Sequence, residues 1–306
     1  MKILVISSNL IGDTILSTGV IQHFLNKHSN SKFTFVIGPT ASQVYDNFPN
    51  LEKRIIVKKK KYNFHWFNIY GNCFFTKWDI IIDFRSSLIS YLLIHKKKFV
   101  FKSNNKSHHI DQLSNFFKFD CSTLIIHNSN KEIMKVEKII NNQFKYVVIC
   151  PGGNWIPKLW PSKNFNKIIK IIVKQYNNVK FIIVGSSNEK KYYFQDVTKE
   201  VHKENIIDLM GETLTLTSAY MRKSNLFIGN DSGLMHLAVA SNLKTIGLFG
   251  PTNDRIYAPI GKNCFVIRTK ENYEYFIKDH CDSEKSYMQS IEVEDVINLI
   301  KINNLL

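Results

Sequence analysis

Four short stretches place chemically capable side chains directly after an apolar run. In Ser7-Ser8-Asn9-Leu10-Ile11-Gly12-Asp13-Thr14 a carboxylate, Asp13, stands at a helix start. Such an acid either caps the helix, where exposed amides stabilise its charge, or takes a proton from an incoming hydroxyl as a general base. No G-x-G-x-x-G accompanies it, which argues against a dinucleotide site. In Pro151-Gly152-Gly153-Asn154-Trp155-Ile156-Pro157-Lys158-Leu159-Trp160-Pro161 a glycine pair lets backbone amides approach a phosphate, and Lys158 supplies a point charge. The Walker spacing is absent, and the alternative is a turn in which Trp155 and Trp160 pack. In Val184-Gly185-Ser186-Ser187-Asn188-Glu189 the acid Glu189 is either an ordinary first-turn residue or an acceptor for ribose hydroxyls. In Gly229-Asn230-Asp231-Ser232-Gly233-Leu234-Met235-His236 a tight turn opens a helix whose free amides suit an anion, with His236 in the first turn either packed or reaching a ligand.

The elements that must hold these stretches follow from periodicity. Short β-branched runs at 3–6, 33–37 and 80–83 alternate with a helical pattern over 12–27, and the scheme restarts at 146–150, with a helix over 162–176 and strands at 181–184, 226–229 and 245–249. Such alternation marks βαβ units on parallel sheets. We therefore expect an α/β protein of two doubly wound domains, 1–145 and 146–306, divided where an amphipathic helix over 131–140 ends in Asn-Asn-Gln. A last helix, about 291–303, opens with acids as the helix dipole favours, and could return to pack on the first domain. Ligands of such sheets bind at the carboxyl ends of the strands, which is where all four stretches fall.

Composition narrows the classes. The chain has 306 residues and 44% apolar side chains, ordinary for globular domains. Its 41 basic and 25 acidic side chains leave +16, and residues 1–145 hold 21 basic against 9 acidic, or +12. A basic excess suits a nucleic-acid or anionic-surface partner, although a sequence rich in Lys, Asn and Ile also follows from an AT-rich genome. No apolar run approaches the roughly 20 residues of a membrane span, and the N-terminal run is read as a buried strand, not a signal peptide. Five cysteines without C-x-x-C spacing argue against a disulfide framework or zinc site and for a reducing cytoplasm.

Taken together, these stretches resemble glycosyltransferase family 9, the family of the ADP-heptose:lipopolysaccharide heptosyltransferases. The resemblance runs in order through Ile11-Gly12-Asp13, Trp78-Asp79 to Asp83-Phe84-Arg85, the Pro-Gly-Gly to Lys158-x-Trp160-Pro161 loop, Met210-Gly211-Glu212-Thr213-Leu214, Asp231-Ser-Gly-Leu-Met-His236, and Leu248-Phe249-Gly250-Pro251-Thr252. It implies a GT-B fold, two Rossmann-like domains facing across a cleft, with the acceptor held mainly by the first and the nucleotide sugar by the second. It implies inverting, metal-independent transfer without a cofactor, in keeping with the absence of a D-x-D motif. By the same resemblance Asp13 is the base for the acceptor hydroxyl and Lys158 steadies the diphosphate leaving group. Gly152, Gly153, Asn154, Asp231, Ser232, Gly233 and His236 would serve the phosphates, Glu189 the ribose, and Gly211, Glu212, Thr213 and Leu214 the base.

Two departures stand out. Gly153 and Asn154 replace hydroxyl residues common before the lysine, so contact there falls to backbone or amide, and Gly19-Val20 stands where many members have proline. Lys58, Lys59, Lys60 and Lys61 with Trp66, and Lys96, Lys97 and Lys98, are expected to face an anionic glycolipid acceptor and the inner membrane surface, on a monomeric cytoplasmic protein. Competing readings are a nucleotide-sugar binder with another donor or no activity, a nucleic-acid binder using the run from Lys53 to Trp66, and an oxidoreductase resting only on the Rossmann-like alternation.

Overall fold

A computed structural model describes residues 1–58, 65–278 and 281–306, with the backbone alone over 65–68. The chain forms two compact units, Met1–His127 and Asn128–Leu306. In the first, a parallel sheet has the order β3-β2-β1-β4-β5, with β1 at Lys2–Ile6, β2 at Lys32–Ile37, β3 at Leu51–Ile56, β4 at Trp78–Asp83 and β5 at His95–Val100. The inner strands are buried along almost their whole length, because helices cover both faces of a parallel sheet and leave no face for water. Leu4, Ile6, Val36 and Ile81 pack with Ile69, Cys73, Ile89 and Leu93 into one core layer.

The helix expected over 12–27 is two helices, Ile11–Leu16 and Thr18–Lys27, meeting at Ser17. Ser17 and Thr18 turn their hydroxyls back to the carbonyls of Thr14 and Ile15 at 2.8 and 2.6 Å, a back-bonding pattern that bends helices. Thr18 Oγ1 also accepts the amide of Ile125, which draws residues 121–125 across Gly19. A Cβ at Gly19 would stand 2.3 Å from the carbonyl oxygen of Cys121. Gly19→Ala is therefore expected to destabilise the first unit by about 1–3 kcal/mol through overpacking, measured as a lower denaturant midpoint.

The second unit carries a parallel sheet of order β11-β10-β9-β6-β7-β8, with β6 at Lys145–Cys150, β7 at Val179–Ile183, β8 at Ile206–Asp208, β9 at Leu226–Asn230, β10 at Thr245–Phe249 and β11 at Cys264–Arg268. Val147, Ile149, Ile228 and Leu248 pack against Phe165, Ile168 and Ile172 of the helix Ser162–Gln175.

Two expectations about the boundary change. His127 bonds Gln22 of the first unit at 3.0 Å, while Asn128 bonds the carbonyl of Thr215 in the second at 2.6 Å. The helix Asn130–Ile139, expected in the first domain, belongs to the second: Glu132, from its capping box with Ser129, accepts the Thr215 hydroxyl at 2.6 Å. The last helix, Val293–Ile302, packs into the core of the second unit through Val293, Val296, Ile297 and Ile300. Its apolar stripe matches the face of the helix Ser162–Gln175.

Candidate active site

In both sheets the chain runs outward from one inner strand, then returns to build the other side. The reversal falls between β1 and β4 in the first unit and between β6 and β9 in the second. At such a switch point the loops leaving the two strands diverge and leave a crevice.

In the first unit the loop after β1 carries Ser8, Asn9 and Asp13. Ser8 Oγ donates to Asp13 Oδ2 at 3.1 Å and accepts the amide of Leu10 at 3.1 Å, so one hydroxyl fixes both the turn and the carboxylate. Asp13 is half-buried in the first turn of its helix. The loop after β4 is organised by Asp83, fully buried, which accepts the amides of Arg85 and Ser87 at 2.7 and 2.8 Å and the Ser87 hydroxyl at 2.8 Å. Arg85 reaches from there to Asn9 Oδ1 at 3.5 Å. Sequence reading overlooked His109, which opens the helix His109–Phe117. Burial lowers its pKa, and the charge of Asp13 opposes that shift. Gln112 holds the preceding loop through Asn104 and Ser107. A lone histidine far along the chain gives no signal of this neighbourhood.

In the second unit Lys158 Nζ stands 3.7 Å from Asp231 Oδ2, with both side chains largely enclosed. Burial raises the Asp231 pKa, and Lys158 and the Thr252 hydroxyl pull it back. Asn230 joins the two loops: its Oδ1 accepts the Trp160 amide at 2.9 Å, and its Nδ2 donates to the carbonyls of Pro151 and Gly152 at 2.8 and 3.3 Å. Trp160 is a packing residue, as the alternative reading had it, buried edge-on against Phe165 with its indole bonded to the Ile291 carbonyl. Asn230→Ala is expected to orphan buried backbone groups at roughly 1–3 kcal/mol each, seen as a lowered Tm.

Ser232 precedes the helix Gly233–Ala240 without capping it through its side chain; the Met235 amide bonds the Ser232 carbonyl at 3.1 Å, while the amides of Gly233 and Leu234 ahead of it are not taken by that hydroxyl and suit an anion. His236 is buried in the first turn of that helix, with 4% of its surface exposed. Glu189 forms a capping box with Ser186, receiving the Ser186 amide on Oε2 at 2.6 Å. Its other oxygen faces Gly152, where a Cβ would lie 2.5 Å away, so Gly152 is the residue that lets this loop and the acid meet. Gly211, at φ +94°, donates its amide to the Gly185 carbonyl at 2.8 Å, a left-handed conformation that favours glycine. Thr213 caps the helix Leu214–Met221, Leu214 is buried, and Glu212 pairs with Lys135 at 3.9 Å. Gly153 is half-buried against Leu159, and Asn154 is exposed. Cys150 lies 3.8 Å from Ser232, and burial with the nearby Glu189 pushes its thiol up to about 12. Arg268, which sequence reading also missed, fixes the turn from Gly250 to Thr252 by donating to both carbonyls.

The expected surface patch is divided. Lys59, Lys60 and Lys61 and the side chain of Trp66 lie outside the described residues, and Lys58 is exposed. Lys96, Lys97 and Lys98 are on the edge strand β5: Lys96 pairs with Asp79 at 2.7 Å, and Lys97 and Lys98 lie over the rings of Phe99 and Tyr91. Lysines on an edge strand also discourage pairing with another sheet. Among the described residues no group of three or more His, Cys, Asp or Glu side chains is placed to hold a metal, and no helix is long and apolar enough to cross a membrane.

Solved structures share this architecture. A glycosyl transferase family 9 protein from Veillonella parvula aligns with a TM-score of 0.76 at 22% identity, covering 98% of this chain and 96% of that one. The ADP-heptose lps heptosyltransferase II of E. coli aligns at 0.74 and 17%, covering 100% and 98%. Two parallel-sheet units of this kind are the GT-B fold. In sequence it is 23% identical over 353 aligned positions to lipopolysaccharide heptosyltransferase 1 of Campylobacter coli, covering 98% of each chain. It is 30% identical over 162 positions to lipooligosaccharide heptosyltransferase 2 of Haemophilus influenzae, covering 51% of this chain and 46% of that one. Residues 127–288 match the model of glycosyltransferase family 9 (heptosyltransferase), and the chain belongs to that family.

Proposed function

We propose that the chain moves heptose from ADP-heptose to a hydroxyl of a lipopolysaccharide-core type acceptor, with inversion at the anomeric carbon and without a metal ion. The observation that carries this reading is the enclosed Lys158 beside Asp231, just ahead of the open amides of the helix Gly233–Ala240. It is a cationic, amide-rich seat for a diphosphate. The named activities of the relatives and of the E. coli neighbour supply the sugar and the acceptor class.

The steps follow from the side chains. Asp13, steadied by Ser8, removes the proton of the acceptor hydroxyl as its oxygen bonds to the anomeric carbon. The bond from that carbon to the diphosphate breaks, and ADP departs with the electron pair. The ammonium of Lys158 and the helix amides balance the growing charge on the leaving oxygen. A single displacement of this kind inverts the anomeric centre. Glu189 bonds the ribose through the oxygen not engaged by Ser186, and the segment 211–214 borders the base.

We place the acceptor on the first unit, with 17 basic and 7 acidic residues over 1–127, or +10, and the protein as a monomer at the cytoplasmic face of the inner membrane. The test is turnover of a panel of nucleotide sugars with a core-type acceptor, read by product mass. ADP-heptose is expected to be consumed with a product one heptosyl unit heavier, and consumption of another donor in its place would overturn the assignment of the sugar.

A further inference from the structure

A cavity in the first unit, about 460 Å³, opens at the start of β4 and β5, the end of the sheet opposite to the loop of Asp13. The residues from Asp79 to Asp83 along β4 put roughly 13 Å between the two ends, at about 3.3 Å per residue. Its wall is aromatic: Phe24, Phe99, Phe117 and Phe119 touch one another with ring centres 5.5–6.4 Å apart, and His23 stacks on Phe119 at 3.6 Å. Burial, with the neighbouring Lys27 and His28, lowers the His23 pKa.

The rim is basic, with Lys27, Lys96 and Lys97 lining the cavity. Its one carboxylate, Asp79, is taken up by Lys96 at 2.7 Å and by the Lys2 amide at 2.8 Å. Among the described residues Lys27 and Lys97 have no carboxylate partner. The same end of the sheet shows bare apolar side chains: Phe75, 90% exposed, precedes β4, and Ile94, 52% exposed, precedes β5.

The phenylalanine rings meet edge to face or tilted, and His23 already covers a face of Phe119, which leaves no free pair of parallel faces to sandwich a base. An alkyl chain needs neither. Exposed apolar residues among lysines are what an interfacial surface presents to lipid. We propose that this cavity takes an acyl chain of an anionic bilayer phospholipid, its phosphate between Lys27 and Lys97. The inference deepens the membrane contact proposed above and does not depend on the identity of the sugar.

The probes are short-chain dihexanoyl phosphatidylglycerol and dihexanoyl phosphatidylcholine, below their micelle concentrations, titrated calorimetrically into the full chain. Saturable binding of the anionic lipid in clear preference to the zwitterionic one is expected. The pair Lys27→Gln and Lys97→Gln should weaken it about thirtyfold, each lysine near an anionic lipid being worth roughly a factor of five. Lys262→Gln, exposed on the second unit, should leave it unchanged. In flotation, the wild type should rise with phosphatidylglycerol vesicles and the double variant should not, with the two proteins equal in Tm. The proposal falls if the two lipids bind alike, if inorganic phosphate displaces the lipid completely, or if Lys262→Gln weakens binding as much as the pair does.

Discussion

Asp13→Asn is expected to lower kcat by about 10²–10⁴, the usual worth of a positioned general base, while leaving donor affinity unchanged. The amide keeps the size of the carboxylate and can still receive the Ser8 hydroxyl, which lies 3.1 Å from Oδ2, so the helix start should survive and the loss can be read as chemistry. An independent readout comes from His109. The charge of Asp13 raises its pKa against burial, so in Asp13→Asn the imidazole should titrate lower still, observable by NMR of the ring protons. A variant that keeps wild-type kcat would remove Asp13 from the role of base. An unmoved His109 titration would show that the two groups do not sense each other.

Lys158→Ala is expected to act twice. Losing a charge that stabilises the leaving group costs about 10²–10³ in rate, by analogy with removing one preorganised donor. It also strands Asp231, which is 7% exposed, and breaking one side of an enclosed pair costs about 3–5 kcal/mol. Adding Asp231→Asn should restore the stability without the activity, which separates the two effects. The pH dependence has a definite sign. Burial holds the Asp231 carboxyl above its ordinary value, so the folded chain keeps this proton where the unfolded chain has lost it. This group's contribution to stability is therefore full at low pH and declines as pH rises from the unfolded value through the folded one. The decline should be larger in Lys158→Ala, where the opposing cation is gone, and absent in Asp231→Asn.

Much of this arrangement is written locally. The inner strands β1, β6, β7 and β9 carry continuous apolar runs, and Asp13, Lys158, Glu189 and Asp231 each stand in the loop or first turn after one, which is why their place at the strand ends could be read. The edge strands β3, Leu51–Ile56, and β5, His95–Val100, went unnoticed because lysines interrupt their pattern. Those lysines are signals of an edge only once the strand order is known. The helix Asn130–Ile139 was found within a residue of its bounds, yet its allegiance depends on Glu132 meeting Thr215, a contact across 83 positions. The same limit hid Asn230 as the joint between two loops and His109 as a neighbour of Asp13. Asn230 sat inside a motif read for its Asp, Ser and Gly, and only the sheet shows what its amide holds. Glu189 was open between cap and ligand, and the structure gives one of its oxygens to the cap.

The loop that carries Lys158 is fastened by a segment far downstream. The amide of Tyr287 bonds the Pro157 carbonyl at 3.0 Å, Ser286 Oγ bonds the Leu159 carbonyl at 2.6 Å, and the Trp160 indole bonds Ile291. During synthesis the lysine emerges more than a hundred residues before its restraints do. The sheet of the first unit can close while the second is still being made, since domains generally fold as units in order of synthesis. The loop of Lys158 would then stay unfastened until residues 286–291 have been made, long after the strand that precedes it.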